Sequence, residues 1–362
     1  MMHLATPGRR DAPVPPDDAG VSFVMPVLNE ERYLRRAVAS TLAQDVPGPV
    51  ELVLALGPST DASDEIAREI AAVDPRVVLV DNPAADIPVG LNLAIGRSRF
   101  ATVVRVDAHS ELRPGYARRA LATLRRTRAA NVGGVMRADG RSPFQRAVAR
   151  AYNSPVGLGG GAYHGGTEEG PAESAYLGVF RRSVLEEVGG FDETLRRGED
   201  WELNLRIRRA GYRVWFDPAL SVVYWPRESW TRLVRQFRAT GAWRGELVRR
   251  YGRRNSLRFF APPALVGAAA LSLVVAVAQA LGIVRSPAAH AVHVPVAAYG
   301  VLVAVVALGR GGGRGWRDRA WTAAVLPSMH LPWGAGFLWG VARGARDTVD
   351  TSRLDGRNTP LP

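Results

Sequence analysis

The sequence predicts an α/β domain whose sheet is covered by helices on both faces, followed by membrane-spanning helices. Three observations carry that prediction. Between residues 21 and 106, short and almost uninterrupted apolar runs alternate with segments of helical periodicity. Strands of that kind are buried on both faces, as in the parallel sheet of a layered α/β domain. Residues 259–284, 286–309 and 320–342 contain no Asp, Glu or Arg, and each exceeds the ~20 residues needed to cross hydrocarbon. Arginines crowd around these runs, the asymmetry that orients membrane proteins.

The elements follow in order. Residues 1–20 are polar and proline-rich, so a disordered tail and no signal peptide are expected. "VSFVMPVL" (21–28) is a first strand. Asn29 is placed to cap a helix with Glu30 and Glu31 in its first turn, and Tyr33, Leu34, Ala37, Val38, Thr41 and Leu42 give that helix one apolar face. "ELVLAL" (51–56) is a second strand, followed by the turn "GPSTDAS" and a helix with Ile66, Ile70 and Val73 on one side. "RVVLV" (76–80) and "ATVVRV" (101–106) are further strands, with the helix "VGLNLAIGRS" between them. Ligands in such sheets bind beyond the carboxyl ends of the strands, where Asp107 stands with His109 two places on. Alone, Asp107 could be a turn residue and His109 a structural histidine. Further along, Glu199 and Asp200 precede an amphipathic helix carrying Trp201, Leu205 and Ile207 and closed by Gly211. As a plain helix cap Asp200 would contribute ~1 kcal/mol. A cap requires neither two adjacent acids nor the approach "GGFDETLRRG".

Composition narrows the function. The chain has 362 residues, a net charge of +13 and no cysteine, and its basic residues are all arginine. Disulfides, thiol catalysis and thiolate metal sites are excluded. No zinc-finger spacing or aromatic-interleaved basic stripe accompanies the charge, so no nucleic-acid partner is expected and a membrane surface fits better. Residues 21–228 form the expected catalytic domain, 229–258 an interfacial amphipathic and basic segment, 259–342 the membrane domain and 343–362 a polar tail. Arg249, Arg250, Arg253, Arg254 and Arg258 precede the first apolar run; Arg310, Arg314, Arg317 and Arg319 separate the second from the third. Only Arg285 lies between the first and second. The catalytic domain and the 310–319 loop are therefore expected in the cytoplasm of a multi-pass plasma-membrane protein. The third run contains Pro327 and Pro332, and crossing would place Arg343 and Arg346 outside, so it either spans or re-enters. The alternative for all three is a set of buried core helices.

"PVLNEE" (26–31), "GPSTDAS" (57–63), "DAH" (107–109), "VFRRSVLEEVGGFDE" (179–193) and "GEDWEL" (198–203) stand in the order seen in family 2 inverting glycosyltransferases of GT-A fold, which this sequence resembles. With "RRAGYRVWFDP" and "WGAGFLWG" it is most similar to membrane-attached, succinoglycan-type bacterial glucosyltransferases of exopolysaccharide assembly. The resemblance implies a Rossmann-like mixed sheet with helices on both faces and a nucleotide diphosphate sugar donor, a UDP-sugar foremost. It implies that Asp107 binds the donor and, with His109, a divalent metal, Mn2+ or Mg2+. Imidazole suits manganese-like ions better than magnesium. Asp200 would be the catalytic base and Glu199 its orienting neighbour. Pro26, Asn29, Glu31, Ser59 and Asp61 would lie near the nucleobase and ribose. Leu56 stands where many members carry an aspartate that contacts the base, which leaves base selectivity open. Asn92 would line the donor pocket, or be an ordinary polar helix residue. In "WTRLVRQFRATGAWRG" (230–245), Gln236, Arg238 and Trp243 partly match the Gln-x-x-Arg-Trp of processive synthases. With Arg244 they would meet an acceptor's diphosphate, or the segment is an interfacial helix. The glycine-rich 157–173 would be a lid or an unstructured insertion. The acceptor implied is a polyprenyl-diphosphate-linked saccharide. The rival readings are a processive polysaccharide synthase, a nucleotidyltransferase and an inactive membrane scaffold.

Overall fold

The apolar runs become the central strands of a mixed sheet. A computed structural model describes residues 10–16, 19–158, 166–252 and 256–345. In chain order the elements are β1 (Val21–Val27), α1 (Leu34–Leu42), β2 (Val50–Leu56), α2 (Ser63–Val73), β3 (Val77–Asp81), α3 (Ile87–Arg97), β4 (Thr102–Arg105), β5 (Glu111–Leu112), α4 (Tyr116–Thr127) and β6 (Asn131–Ala138). Then come α5 (Pro143–Tyr152), α6 (Pro155–Leu158), β7 (Gly170–Pro171), β8 (Tyr176–Arg181), α7 (Arg182–Val188), α8 (Glu199–Arg209) and β9 (Val214–Tyr224). Four helices end the described chain: α9 (Trp230–Tyr251), α10 (Ala261–Ala280), α11 (Val294–Leu308) and α12 (Trp316–Arg343).

The nine strands run β3-β2-β1-β4-β8-β6-β9-β5, with β7 on β9. β1 to β4 are mutually parallel, β8 joins β4 antiparallel, and β6 joins β8 antiparallel. The strands beyond β4 escape simple pattern reading because glycine, arginine and proline interrupt them. Alternate residues of the parallel strands feed opposite cores. Phe23, Met25, Leu52, Leu54 and Val104 pack with α1, α2 and α4 on one face. Val24, Val53, Ala55 and Val103 pack with α3, α7 and α8 on the other. Burial of both faces is why these strands read as continuous apolar runs.

Contacts divide the chain into two units, Met1–Arg137 with Gly161–Tyr224, and Ala138–Gly160 with Trp225–Pro362. Residues 138–158, which the sequence reading keeps with the catalytic domain, therefore pack with the helices that follow β9. In that second unit, two helices among the described residues are long and apolar enough to cross a membrane, Leu257–Ala280 and Pro287–Leu308. Leu271, Leu273, Val274, Val277, Val301 and Val305 on them are exposed, which is not the pattern of buried core helices. The third expected segment, 320–342, differs. It lies inside the 28-residue α12, whose Val325, Leu326, Met329, Gly336, Phe337 and Gly340 are buried. That burial comes from packing along α9, so protein rather than lipid covers one side of it.

Candidate active site

The first two motifs are stitched to one another at the carboxyl ends of β1 and β2. The expected cap at Asn29 is not formed: Asn29 has a left-handed φ of 55° and α1 begins only at Leu34. Its side-chain Oδ1 instead accepts the Thr60 backbone N–H at 2.8 Å, while its own N–H donates to Ser59 Oγ at 3.2 Å. The N–H of Glu30 donates to Ser63 Oγ at 2.7 Å, that of Glu31 to Asp61 Oδ2 at 3.2 Å, and Glu31 Oε2 accepts the Ala62 N–H at 3.2 Å. Thus Asn29, Glu31, Ser59 and Asp61 come together as two interlocked loops beside β1, on which Pro26 pairs with Ala55. Leu56 is buried in the core and offers no polar atom there.

The two acid motifs meet on a residue that the sequence reading overlooked. Arg105, the last residue of β4, is only 6% exposed. Its Nε and Nη2 donate to Asp107 Oδ1 at 3.3 and 3.2 Å. Its Nη1 donates to Glu199 Oε1 at 3.0 Å and to Asp200 Oδ1 at 2.6 Å. Gly198, with φ 78°, is the N-cap of α8, so Glu199 and Asp200 are first-turn residues and Asp200 is not a cap. Burial pushes the Asp200 carboxyl up to about 7, with Arg105 opposing the rise and Glu199 and Asp107 adding to it. The Tyr176 hydroxyl beside Asp107 is held neutral, because burial first and the Asp107 charge second push its pKa well above the ordinary value.

Asn92, expected in a donor pocket or as an ordinary polar helix residue, is bonded to the turn before α8. Its Nδ2 donates to the Phe191 carbonyl and to Glu193 Oε1, both at 2.9 Å, and its Oδ1 accepts the Phe191 N–H at 2.9 Å. Both ends of the amide are spent on holding the "GGFDE" turn. That turn brings Phe191 behind Arg105, with the guanidinium carbon 6.0 Å from the ring centroid.

A divalent ion fits the donors present. His109 Nδ1 lies 2.9 Å from Glu30 Oε1, which leaves Nε2 facing Asp107 Oδ2 at 3.9 Å. Two ligands with bonds of about 2.1 Å to one ion are at most about 4.2 Å apart, so both groups can hold the same ion. A carboxylate on the far ring nitrogen is the usual partner of a metal-binding histidine. Three carboxylates around one guanidinium also leave the site short of positive charge. No group of three or more acidic or histidine ligands occurs among the described residues, so a donor diphosphate and water would complete the shell.

The acceptor residues proposed from α9 separate into two kinds within the second unit. Gln236 and Trp243 are buried, Trp243 to 1% exposure, and the Tyr152 hydroxyl donates to Gln236 Oε1 at 3.3 Å. Both side chains are packed inside that unit. Arg238 is exposed, and Arg244 lies over the Phe259 ring, 4.0 Å from its centroid. Of the suspected lid, residues 159–165 lie outside the described residues, while β7 is pinned on β9 and Glu169 accepts from Trp215 Nε1 at 2.7 Å.

Residues 22–189 match the family model described as Glycosyl transferase family 2. The succinoglycan biosynthesis protein ExoA of Rhizobium meliloti is 33% identical over 320 residues, covering 87% of this chain and 93% of that protein. A dolichyl N-acetyl-alpha-D-glucosaminyl phosphate 3-beta-D-2,3-diacetamido-2,3-dideoxy-beta-D-glucuronosyltransferase of Methanococcus voltae is 21% identical over 239 residues, covering 64% of this chain and 74% of that one. Among solved structures, the mannosyltransferase PcManGT from Pyrobaculum calidifontis, in complex with GDP-Man and Mn2+, superposes with a TM-score of 0.59 at 21% identity over 91% of both chains. That likeness shows the fold, which is the expected GT-A mixed sheet.

Proposed function

The chain belongs to glycosyl transferase family 2, and we propose that it moves a hexose, with inversion, from a nucleoside diphosphate sugar to a polyprenyl-diphosphate-linked acceptor. We place the reaction at the cytoplasmic face of a bacterial membrane, in exopolysaccharide or cell-envelope glycan synthesis. The similarity to a succinoglycan biosynthesis protein supports that setting, as do two apolar helices of spanning length. A UDP-sugar is the donor we favour.

The observation that carries the reading is the convergence of Asp107 and Asp200 on Arg105. One acid can serve a donor's diphosphate while the other, on the same guanidinium, serves an acceptor hydroxyl. Asp107 and His109 would hold the divalent ion, which when bound supplies charge neutralisation for the departing diphosphate. Asp200 takes the proton of the acceptor hydroxyl as that oxygen bonds to the anomeric carbon. The bond from that carbon to the diphosphate oxygen breaks on the opposite side, and its electron pair leaves with the nucleoside diphosphate. One base opposite the leaving group gives inversion. Glu199, sharing Arg105 Nη1 with Asp200, orients the base.

The test is a panel of nucleotide sugars with purified protein, manganese and lipid-linked saccharide acceptors, scored by nucleoside diphosphate release. Pyrophosphate released from a nucleoside triphosphate and a sugar 1-phosphate instead would mean nucleotidyl transfer, and products of many added residues would mean processive synthesis.

A further inference from the structure

Arg105 neither binds a substrate nor moves a proton in the transfer set out above, yet its guanidinium is the most densely engaged group of the site. We propose that Arg105 is a positioning residue for the transfer, presenting Asp107 to the donor side and Asp200 to the acceptor side through one planar guanidinium. This inference rests on the glycosyl-transfer reading.

The geometry separates positioning from simple charge balance. Two N–H groups, on Nε and Nη2, close on the same oxygen of Asp107. That engagement turns Oδ2, the other oxygen, toward His109 Nε2 at 3.9 Å. On the opposite side Nη1 takes Oδ1 of Asp200 at 2.6 Å, which leaves Oδ2 for an acceptor hydroxyl. Because the guanidinium is planar and rigid, the direction of one carboxylate fixes the direction of the other. A lysine ammonium would supply the same charge as a point, with no such constraint.

The guanidinium is itself held in place. Phe191, 3% exposed, backs it, and Asn92 fixes Phe191 by both of its backbone groups. The turn before it needs glycine: Gly190 has φ +68°, and a Cβ there would lie 2.8 Å from Asn92 Oδ1. The chain Asn92, Phe191, Arg105 therefore ends on the two acids the reaction uses.

The experiment compares Arg105→Lys, Asp107→Asn and Asp200→Asn in the full chain in detergent. It reads kcat from nucleoside diphosphate release with the donor that the wild type turns over, and Mn2+ affinity by electron paramagnetic resonance titration. Asp107→Asn should weaken Mn2+ binding, and Asp200→Asn should lower kcat with Mn2+ affinity retained. Arg105→Lys should do both, lowering kcat by about 100-fold and Mn2+ affinity by about 10-fold. Arg105→Ala should regain part of its turnover with guanidinium chloride at low millimolar concentration, which a collapsed site would not do. Should Arg105→Lys fail to fold, Phe191→Leu removes the ring behind the guanidinium without touching a charge, and a loss of about 10-fold in kcat is expected. Arg105→Lys with kcat and Mn2+ affinity both within threefold of wild type overturns the proposal, as does a fully active Phe191→Leu. A wild type that releases nucleoside diphosphate from no donor overturns the transfer reading instead, and the Mn2+ titrations then still report whether Arg105 positions Asp107.

Discussion

Glu30 Oε1 lies 2.9 Å from His109 Nδ1, and both side chains are nearly buried. The contact turns Nδ1 toward the Glu30 carboxylate, so Nε2 is the ring nitrogen that faces Asp107. Glu30 reaches this place because its own backbone N–H is held by Ser63 Oγ at 2.7 Å. A histidine in the second acidic position of the motif is thus supported as a ligand by a carboxylate from the first motif.

Glu30→Gln should therefore weaken metal binding without removing a ligand. Loss of such an outer partner lowers affinity by about 10- to 100-fold. Mn2+ titration checks this directly, and an unchanged affinity would mean that the Glu30 charge gives the site no support. On the proposed ligation, His109→Asp should move the preference from Mn2+ toward Mg2+, because a carboxylate suits the harder ion.

Asp200→Asn should abolish transfer while donor binding persists, since the substitution removes the proton acceptor and leaves Asp107 and His109 in place. The wild type should also lose kcat toward acid. A base must be ionised to act, and burial holds the Asp200 carboxyl up to about 7. The rate accordingly rises as pH climbs through that value and falls below it. A kcat profile flat from pH 6 to pH 8, measured with saturating donor, would mean that the raised carboxyl is not retained in the donor complex.

The two acid motifs were legible because each places carboxylates where a strand ends or a helix begins. Their junction was not. Arg105 sits inside an apolar strand and meets Glu199 and Asp200 across 94 and 95 residues of sequence, and nothing local marks such a pairing. Asn29 illustrates a different difficulty. A residue able to cap a helix is equally able to adopt left-handed backbone and bond a neighbouring loop, and the 57–63 turn decided between them. The bonds of Asn92 to Phe191 and the burial of Trp243 likewise have no local sign in the sequence. The parallel strands were plain from burial on both faces. β6, with Gly133 and Gly134 and an irregular register against β8, carries no such signal.

Asp217, in the "RVWFDP" segment, is fully buried on β9. Burial alone would raise its pKa, but bonds from Arg119, Thr123 and the Ala219 N–H outweigh that and hold it below the usual value. A group depressed in the folded state stabilises above its unfolded pKa of about 4 and loses that contribution as pH falls through the folded value. Asp217→Asn should therefore cost about 1–3 kcal/mol at pH 7, and the gap from wild type should narrow in acid. Thermal unfolding at pH 7 and pH 3 measures both, and a gap that does not narrow would detach the effect from ionisation.

The pairing of α9 with α12 depends on glycine. A Cβ at Gly241 would stand 2.0 Å from the Trp333 carbonyl oxygen and one at Gly245 2.3 Å from that of Phe337. On the other helix, a Cβ at Gly336 would meet the Arg238 carbonyl at 2.1 Å and one at Gly340 that of Ala242 at 2.0 Å. The contacts advance in the same direction along both helices, so the two run parallel, each with glycines four apart against the other's backbone. Close backbone approach of this kind recurs in membrane helix pairs. Alanine normally stabilises a helix interior by about 1 kcal/mol over glycine. At Gly245 that gain is opposed by a carbonyl that cannot move without separating the helices, so Gly245→Ala should destabilise by about 1–3 kcal/mol. Gly267 on α10 has nothing within 4 Å of the same position, and Gly267→Ala should be neutral or stabilising. Thermal unfolding of both variants in detergent separates propensity from packing. Equal shifts for the two would mean that the α9–α12 contact does not depend on the missing side chains.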